Sequence, residues 1–276
     1  MKDALIISVL SVLPRKRGAR VMGWFARTRF SRLIVRGFVR AYGLNMEEAA
    51  RPLAEYTTLH ELFVRELKSG VRPIDERPHM LVSPVDGTVA AVGRSSDQRI
   101  ALTPERSLSL TELLQESPAG ELDAIVLYLS PKDYHRVHAP SQGEVNKLSY
   151  LPGTLWPVFP AAVRRVEGLF SRNERAHLHL NTADGPIEVV MIGAFGVGRM
   201  TLTCSDLITN TGKEGFKKTL NDSFSVARGE HIGTFHLGST VVLVTPRNQW
   251  VWDVEPGDTV KLGAAIAHRA PSTGES

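Results

Sequence analysis

One cysteine, Cys204, stands in 276 residues. A lone cysteine excludes an intramolecular disulfide and a cysteine-rich zinc site, and points to a reducing compartment. Long apolar runs are missing too. The apolar stretch Ala4–Leu13 is ten residues long and stops at Pro14 and Arg15-Lys16-Arg17, well short of the ~20 residues that cross a hydrocarbon core. A signal peptide would place its positive charges before the apolar run, whereas here they follow it, so the segment is expected to be retained. With 42% hydrophobic and 22% charged residues, 23 Gly and 16 Pro, the composition is neither disordered nor low-complexity.

Acids are nearly absent from the start of the chain. Residues 1–40 hold ten Lys/Arg against Asp3 alone, while the remaining 236 residues hold 23 basic and 28 acidic side chains. The basic character thus belongs to the N-terminus. There it alternates with Ile7, Leu10, Met22, Trp24, Phe25, Phe30, Leu33, Ile34 and Phe38. Nucleic-acid binding segments interleave charge with polar or Gly-rich sequence, so no nucleic acid is expected; basic plus apolar at helical spacing predicts helices lying on an anionic membrane surface. The competing expectation is that these helices simply pack on the rest of the protein.

Organisation changes near residue 70. Before it, Met46–Ala50 and the capping box Thr58-Leu-His-Glu61, opening an amphipathic run through Leu67, predict helices. After it, strands are predicted over Val82–Val92, Ala124–Leu129, Glu144–Tyr150, Ala176–Leu180, Ile187–Phe195, Gly198–Thr203, His231–Phe235, Thr240–Val244 and Thr259–Leu262, with one helix capped by Ser109. No βαβ alternation is present. The expected fold is α+β: a mainly antiparallel β body over residues 71–276 behind a helical membrane-docking region over residues 1–70. The segments Ser83–Gly93 and Val254–Ile266 look alike and resemble the hairpins of lipoyl-like and duplicated-hybrid β sandwiches.

Three clusters carry candidate chemistry. Asp86-Gly87 before Thr-Val reads by itself as a turn, Asp for its side-chain bond to the backbone and Gly for positive φ. His135 and His138 stand three apart after a strand; the spacing admits surface, catalytic or metal-ligand roles, although no cysteine or clear third ligand recommends a metal. Gly238-Ser239 interrupts a strand, as a bulge would. In a strained backbone with a base nearby, the same pair permits Ser239 Oγ to attack the Gly238 carbonyl and convert the amide to an ester. β-Elimination then breaks the chain, and hydrolysis leaves a pyruvoyl group in place of Ser239.

Taken with Leu62-Phe-Val-Arg65, Val71-Arg-Pro-Ile-Asp75, Tyr150-Leu-Pro-Gly-Thr-Leu155 and Phe170-Ser-Arg-Asn-Glu-Arg175, these clusters resemble, over nearly the whole chain, the bacterial phosphatidylserine decarboxylases, pyruvoyl-dependent membrane enzymes. The resemblance implies cleavage between Gly238 and Ser239 into a β chain (1–238) and an α chain (239–276) that stay associated. It implies Ser239 as pyruvoyl precursor, His138 as base, Asp86 as its orienting carboxylate and His135 as a decarboxylation residue, with no metal. Phosphatidylserine in the bilayer is the implied substrate, the cytoplasmic face of the cell membrane the implied location, and a homodimer of the cleaved heterodimer an implied assembly. Pro157-Val158-Phe159 departs from the Ser-Val-Asn common in the family. Two alternatives stand beside this reading: a non-enzymatic lipoyl-like carrier or binding module, which keeps an intact chain, and a pyruvoyl decarboxylase for another serine phospholipid.

Overall fold

A computed structural model describes residues 15–118, 120–195, 199–236 and 238–271. The stretch Ala4–Leu13, Gly198 and Leu237 lie outside the described residues. Two helices, Arg15–Arg27 and Arg32–Tyr42, form an N-terminal arm joined by a short turn at Arg29–Ser31. Ser31 makes the corner: its hydroxyl donates to the Ala26 carbonyl at 3.0 Å and accepts from the Leu59 N–H at 2.8 Å. Gly43, at φ +65°, ends the second helix with its N–H on the Val39 carbonyl, a left-handed cap that glycine adopts without penalty. Ala26 and Val35 pack with Leu44, Tyr56, Leu59 and Leu62 in a small core. On the opposite side Val21, Trp24, Phe30 and Leu33 are 64%, 68%, 74% and 84% exposed. Among the described residues no helix is long and apolar enough to cross a membrane.

The body is built on an eight-stranded antiparallel sheet. Its strands lie in the order Phe216–Val226, Gly143–Leu151, Arg175–Thr182, Gly185–Gly193, Ser239–Pro246, Leu122–Leu129, Gly87–Arg94 and Thr259–Val260. Near its middle, Ser239–Pro246 pairs on one side with Leu122–Leu129 and on the other with Gly185–Gly193. Every residue from Ser239 to Thr245 is buried, because Val241 and Leu243 face one apolar core while Val242 and Val244 face another. A strand covered on both faces reads as a continuous apolar run. The second core is closed by the short helices Leu110–Leu114, Pro160–Arg165 and Leu169–Arg172. A four-stranded sheet places His231–Phe235 between Met200–Leu202 and Arg136–His138, with Ser205–Ile208 at its edge.

The α+β architecture agrees with the sequence expectation, and the two look-alike segments lie side by side, Thr88 opposite Thr259 and Gly87 opposite Val260. Local expectations need correction. Met46–Ala50 is not helical; Ala49 makes an isolated bridge to Leu67 instead. The helix capped by Thr58 stops at Phe63, since this bridge draws the chain after it into an extended pairing. The predicted Val82–Val92 strand is two strands, Met80–Val82 and Gly87–Arg94, split by the turn that carries Asp86. Gly87 is required there by close approach, not by positive φ: a Cβ would sit 2.6 Å from the Tyr128 carbonyl oxygen.

Candidate functional site

Ser239 opens the central strand opposite both Leu129 and Gly193. It is fully buried, and its Oγ has no hydrogen-bond partner. The residue before it, Gly238, has φ +33°, in the left-handed region that L side chains rarely adopt. Nothing crowds the position where a Cβ would stand, the nearest atom being the Phe195 carbonyl oxygen at 3.8 Å. Glycine is therefore needed here for its backbone angle. On the far side of the strand Asn173 fixes Gly193: its side-chain amide donates to the Trp156 and Gly193 carbonyls at 2.9 and 3.0 Å, and its Oδ1 accepts from the Trp156 N–H at 2.8 Å. Arg175, nearly fully buried, donates to the carbonyls of Leu113, Glu112, Ser171 and Asn173. Tyr150 donates its hydroxyl to Glu174. The Phe170–Arg175 motif thus builds the wall behind the serine.

The histidine-bearing segment leaves Leu129, a partner of Ser239, turns through Ser130–Asp133, and returns as Arg136–His138 beside His231–Phe235. Asp133 stabilises the turn by accepting from the Ser130 N–H and hydroxyl at 2.7 and 2.6 Å. His135 is completely buried. Its Nδ1–H donates to the Asp133 carbonyl at 2.8 Å, and the Phe63 ring lies 4.3 Å away, centre to centre. The other nitrogen, Nε2, is buried without a partner. His138 repeats the pattern. Nδ1–H donates to the Gly229 carbonyl at 2.8 Å, leaving Nε2 to accept from the Tyr134 hydroxyl at 3.2 Å. A carbonyl can only accept, so both imidazoles carry their proton on Nδ1 and present a lone pair at Nε2. Burial pushes His135 down to about 3 and His138 down to about 4, so both are neutral at ordinary pH.

Asp86 is buried, but it holds no hydrogen bond to His138. Arg72 grips both its oxygens, with Nε at 2.9 Å from Oδ1 and Nη2 at 2.6 Å from Oδ2. The Leu262 N–H donates to Oδ1 at 2.9 Å and Lys261 Nζ stands 3.3 Å from Oδ2. Burial, the largest influence, raises the Asp86 carboxyl, but the Arg72 hydrogen bonds, the Leu262 N–H and the Arg72 and Lys261 charges together leave it lowered. The tautomer of His138 is set by the Gly229 carbonyl, the task expected of Asp86. Neither histidine is hydrogen-bonded to Ser239. Among the described residues no group of three or more His, Cys, Asp or Glu is placed to hold a metal ion.

Sequence reasoning passed over a second histidine pair beside the same strand. His60 Nε2 lies 2.8 Å from His236 Nδ1, the rings stack at 5.1 Å and 10°, and His236 Nε2 is 3.1 Å from Thr201 Oγ1. His236 is two residues before Gly238, and its position in the extended run Thr234–Thr240 was the only sequence signal for it.

A fold of this kind, with a buried serine after a positive-φ glycine and neutral histidines on the neighbouring segment, fits a self-processing decarboxylase. The sequence pattern of the phosphatidylserine decarboxylase family matches residues 59–268, and the chain belongs to that family. It is 36% identical to a phosphatidylserine decarboxylase proenzyme of Saccharophagus degradans, over 97% of this chain and 98% of that one. The same named proenzyme from Marinobacter nauticus is 37% identical, over 96% and 98%, and that from Myxococcus xanthus 35%, over 96% and 99%.

Proposed function

We propose that this chain decarboxylates phosphatidylserine to phosphatidylethanolamine after cutting itself between Gly238 and Ser239. The observation that carries the reading is the pairing of a buried, unpartnered Ser239 Oγ with a preceding glycine at positive φ. An orphaned hydroxyl in a core is costly, and a backbone held in a rare conformation next to it is a recurrent feature of reacting peptide bonds. In this reading Ser239 Oγ attacks the Gly238 carbonyl while His138, once released from Tyr134, takes the hydroxyl proton at Nε2. The ester then loses the Gly238 carboxylate by β-elimination, and water converts the remaining dehydroalanine to a pyruvoyl end with release of ammonia. Asp86 acts on His138 through space, favouring the imidazolium formed in the first step.

The pyruvoyl carbonyl would condense with the substrate amine and accept the electrons left by departing CO2. The site fits such a group: it replaces the unpartnered Ser239 Oγ with a carbonyl system, and a second unpartnered buried atom, Nε2 of His135, stands on the segment that continues from Leu129, the strand partner of Ser239. Because that Nε2 bears a lone pair, it repels a carboxylate; His135 therefore serves by taking up a proton and returning it to the carbon that loses CO2.

The arm docks the protein peripherally on the cytoplasmic face of the cell membrane. Val21, Trp24, Phe30 and Leu33 insert shallowly, and Arg17, Arg29, Arg32, Arg36 and Arg40 meet anionic headgroups. The paired segments 83–93 and 254–266, read as lipoyl-like hairpins, brace Asp86, and the two cleaved chains remain associated, with a homodimer of that pair as the assembly. One preparation tests the whole reading. Intact mass should show fragments ending at Gly238 and beginning with a blocked residue 239, and the same protein should release CO2 from phosphatidylserine vesicles; an active chain of uncleaved mass overturns it. Sedimentation should favour anionic over neutral liposomes and weaken in part with salt; equal sedimentation with both removes the membrane assignment.

A further inference from the structure

Arg27, in the last turn of the first helix, and Arg199, at the start of the four-stranded sheet, face each other across a cavity of about 280 Å³ lined also by Gly23, Trp24 and Thr209. No carboxylate among the described residues pairs with either guanidinium. Arg199 Nε is buried with no hydrogen-bond partner. Each charge opposes the other: burial lowers Arg27, and the Arg199 charge lowers it further. The same two charges reinforce burial in holding the stacked His60 and His236 down, to about 4 and about 3. Two cations and two neutral imidazoles are gathered here; the Glu61 carboxylate acts on His60 but is hydrogen-bonded to Thr57 and forms no ion pair with either arginine, and like charges at close range destabilise one another.

The location adds chemistry. The His236 N–H donates to the Arg199 carbonyl at 3.0 Å, so Arg199 is main-chain neighbour to the segment that runs into Gly238 and Ser239. Gly18 of the arm abuts the Phe195 ring, where a Cβ would sit at 3.5 Å, and the Phe195 carbonyl is the nearest contact of Gly238. The cavity lies between the first helix and the ends of the strands Met200–Leu202 and Ser205–Ile208, in the sheet that also holds His231–Phe235, the strand leading towards Gly238 and Ser239.

We propose that Arg27 and Arg199 form the subsite for the phosphodiester of the lipid headgroup, an inference that rests on the function proposed above. In the serine headgroup two carbons separate the phosphodiester from the amine, so the phosphate must bind close to the reacting centre and on its membrane side. Guanidinium forks match phosphate oxygens in geometry and charge. They would serve the carboxylate poorly: clamping the group that leaves as neutral CO2 stabilises the ground state against the transition state. The phosphate, whose charge does not change in the reaction, is the anion these two arginines can hold at no cost to the rate.

The test uses the mature, full-length protein and dihexanoyl phosphatidylserine. Arg27→Gln with Arg199→Gln should raise KM about tenfold or more while kcat falls less than threefold, and Arg27→Lys with Arg199→Lys should recover most of the KM. Self-cleavage, read by mass, certifies the fold of each variant, and the lysine pair carries the comparison where the glutamine pair does not mature. Inorganic phosphate should compete with the lipid in the wild type and lose that effect in the glutamine pair. An unchanged KM overturns the proposal. So does phosphate that binds calorimetrically through Arg199 without competing with lipid, because the site then serves the free ion. A wild type that matures but releases no CO2 strikes the proposed activity instead, and the calorimetry alone then decides whether the arginines bind phosphate.

Discussion

Two pairs of histidines in this protein differ in what their imidazoles face. His135 and His138 each give their Nδ1 proton to a main-chain carbonyl and lie in surroundings that push them down to about 3 and 4. His177 and His179, two apart on the Arg175–Thr182 strand, share one face of the large sheet and clasp Glu188 between them, His177 through Nε2 and His179 through Nδ1. The hydrogen bond to Glu188 raises His179. Burial pushes the Glu188 carboxyl up, yet the bonds from both histidines hold it down to about 2. Burial keeps the first two imidazoles neutral against the raising pull of their carbonyl bonds, whereas the carboxylate bond favours the His179 cation. In the first pair the Nδ1 proton is fixed on a main-chain carbonyl and the lone pair is presented at Nε2.

The sharpest way to break this contrast is at Nε2. His138→Ala should slow self-cleavage by ~100-fold or more, the usual scale for a lost general base, whereas His135→Ala should mature and then lose ~100-fold in kcat. Mass spectrometry and CO2 release read the two effects separately; normal cleavage in both variants would remove His138 from its role.

A smaller effect sharpens the position of Asp86. Asp86→Asn and Arg72→Gln both open the buried ion pair and should destabilise the fold by ~3 kcal/mol or more. Only Asp86→Asn should also slow cleavage, by about tenfold, in urea-free buffer where both variants remain folded. Equal cleavage rates would make Asp86 a structural anchor alone.

Glu188→Gln tests the other pair. It should cost ~1–3 kcal/mol of stability, the range for disrupting a buried hydrogen-bonded group, with maturation and kcat intact, as read by a thermal melt and an activity assay.

The last test is pH dependence. His135 and His138 bind their protons in the folded chain only near 3 and 4, against about 6.5 when unfolded. The unfolded chain therefore takes up more protons as pH falls below about 6.5, and stability drops through that window. Glu188, held at about 2, adds its own loss below about 4.5. His179 works the other way: its contribution is complete below about 6.5 and fades as pH rises through its raised native value. Melting temperatures between pH 4 and 8 should show net loss on the acid side, and Glu188→Gln should flatten the alkaline limb.

Where one face or both faces of a strand are buried, the pattern was legible in the sequence. Ala124–Leu129, Ile187–Phe195 and Thr240–Val244 fall on strands of the large sheet within a few residues. The Phe216–Val226 strand was missed because its burial follows no alternation: as an edge strand it sets Lys217, Lys218, Thr219, Asn221, Asp222 and Ser223 toward water. The candidate site residues stood out in the sequence through motif chemistry. Their partners were not, since Arg72 reaches Asp86 across a loop and Gly229 reaches His138 from 91 residues away. Nor could spacing announce His60 and His236, which meet only when the helix Leu59–Phe63 packs beside the four-stranded sheet.

The place of Ser239 within the sheet shapes the life of the cleaved protein. On the proposed cut between Gly238 and Ser239, the fragment of residues 239–276 would contribute an interior strand, hydrogen-bonded along both edges and covered on both faces. Such a strand cannot be exchanged at the surface; it leaves only if the sheet comes apart. Effective concentration then vanishes with the tether, and reassembly becomes a bimolecular search. Each mature molecule is in this sense assembled once. Its durability is a rate of opening rather than an equilibrium, and thermal unfolding should turn from reversible in the Ser239→Ala precursor to irreversible in the cleaved form.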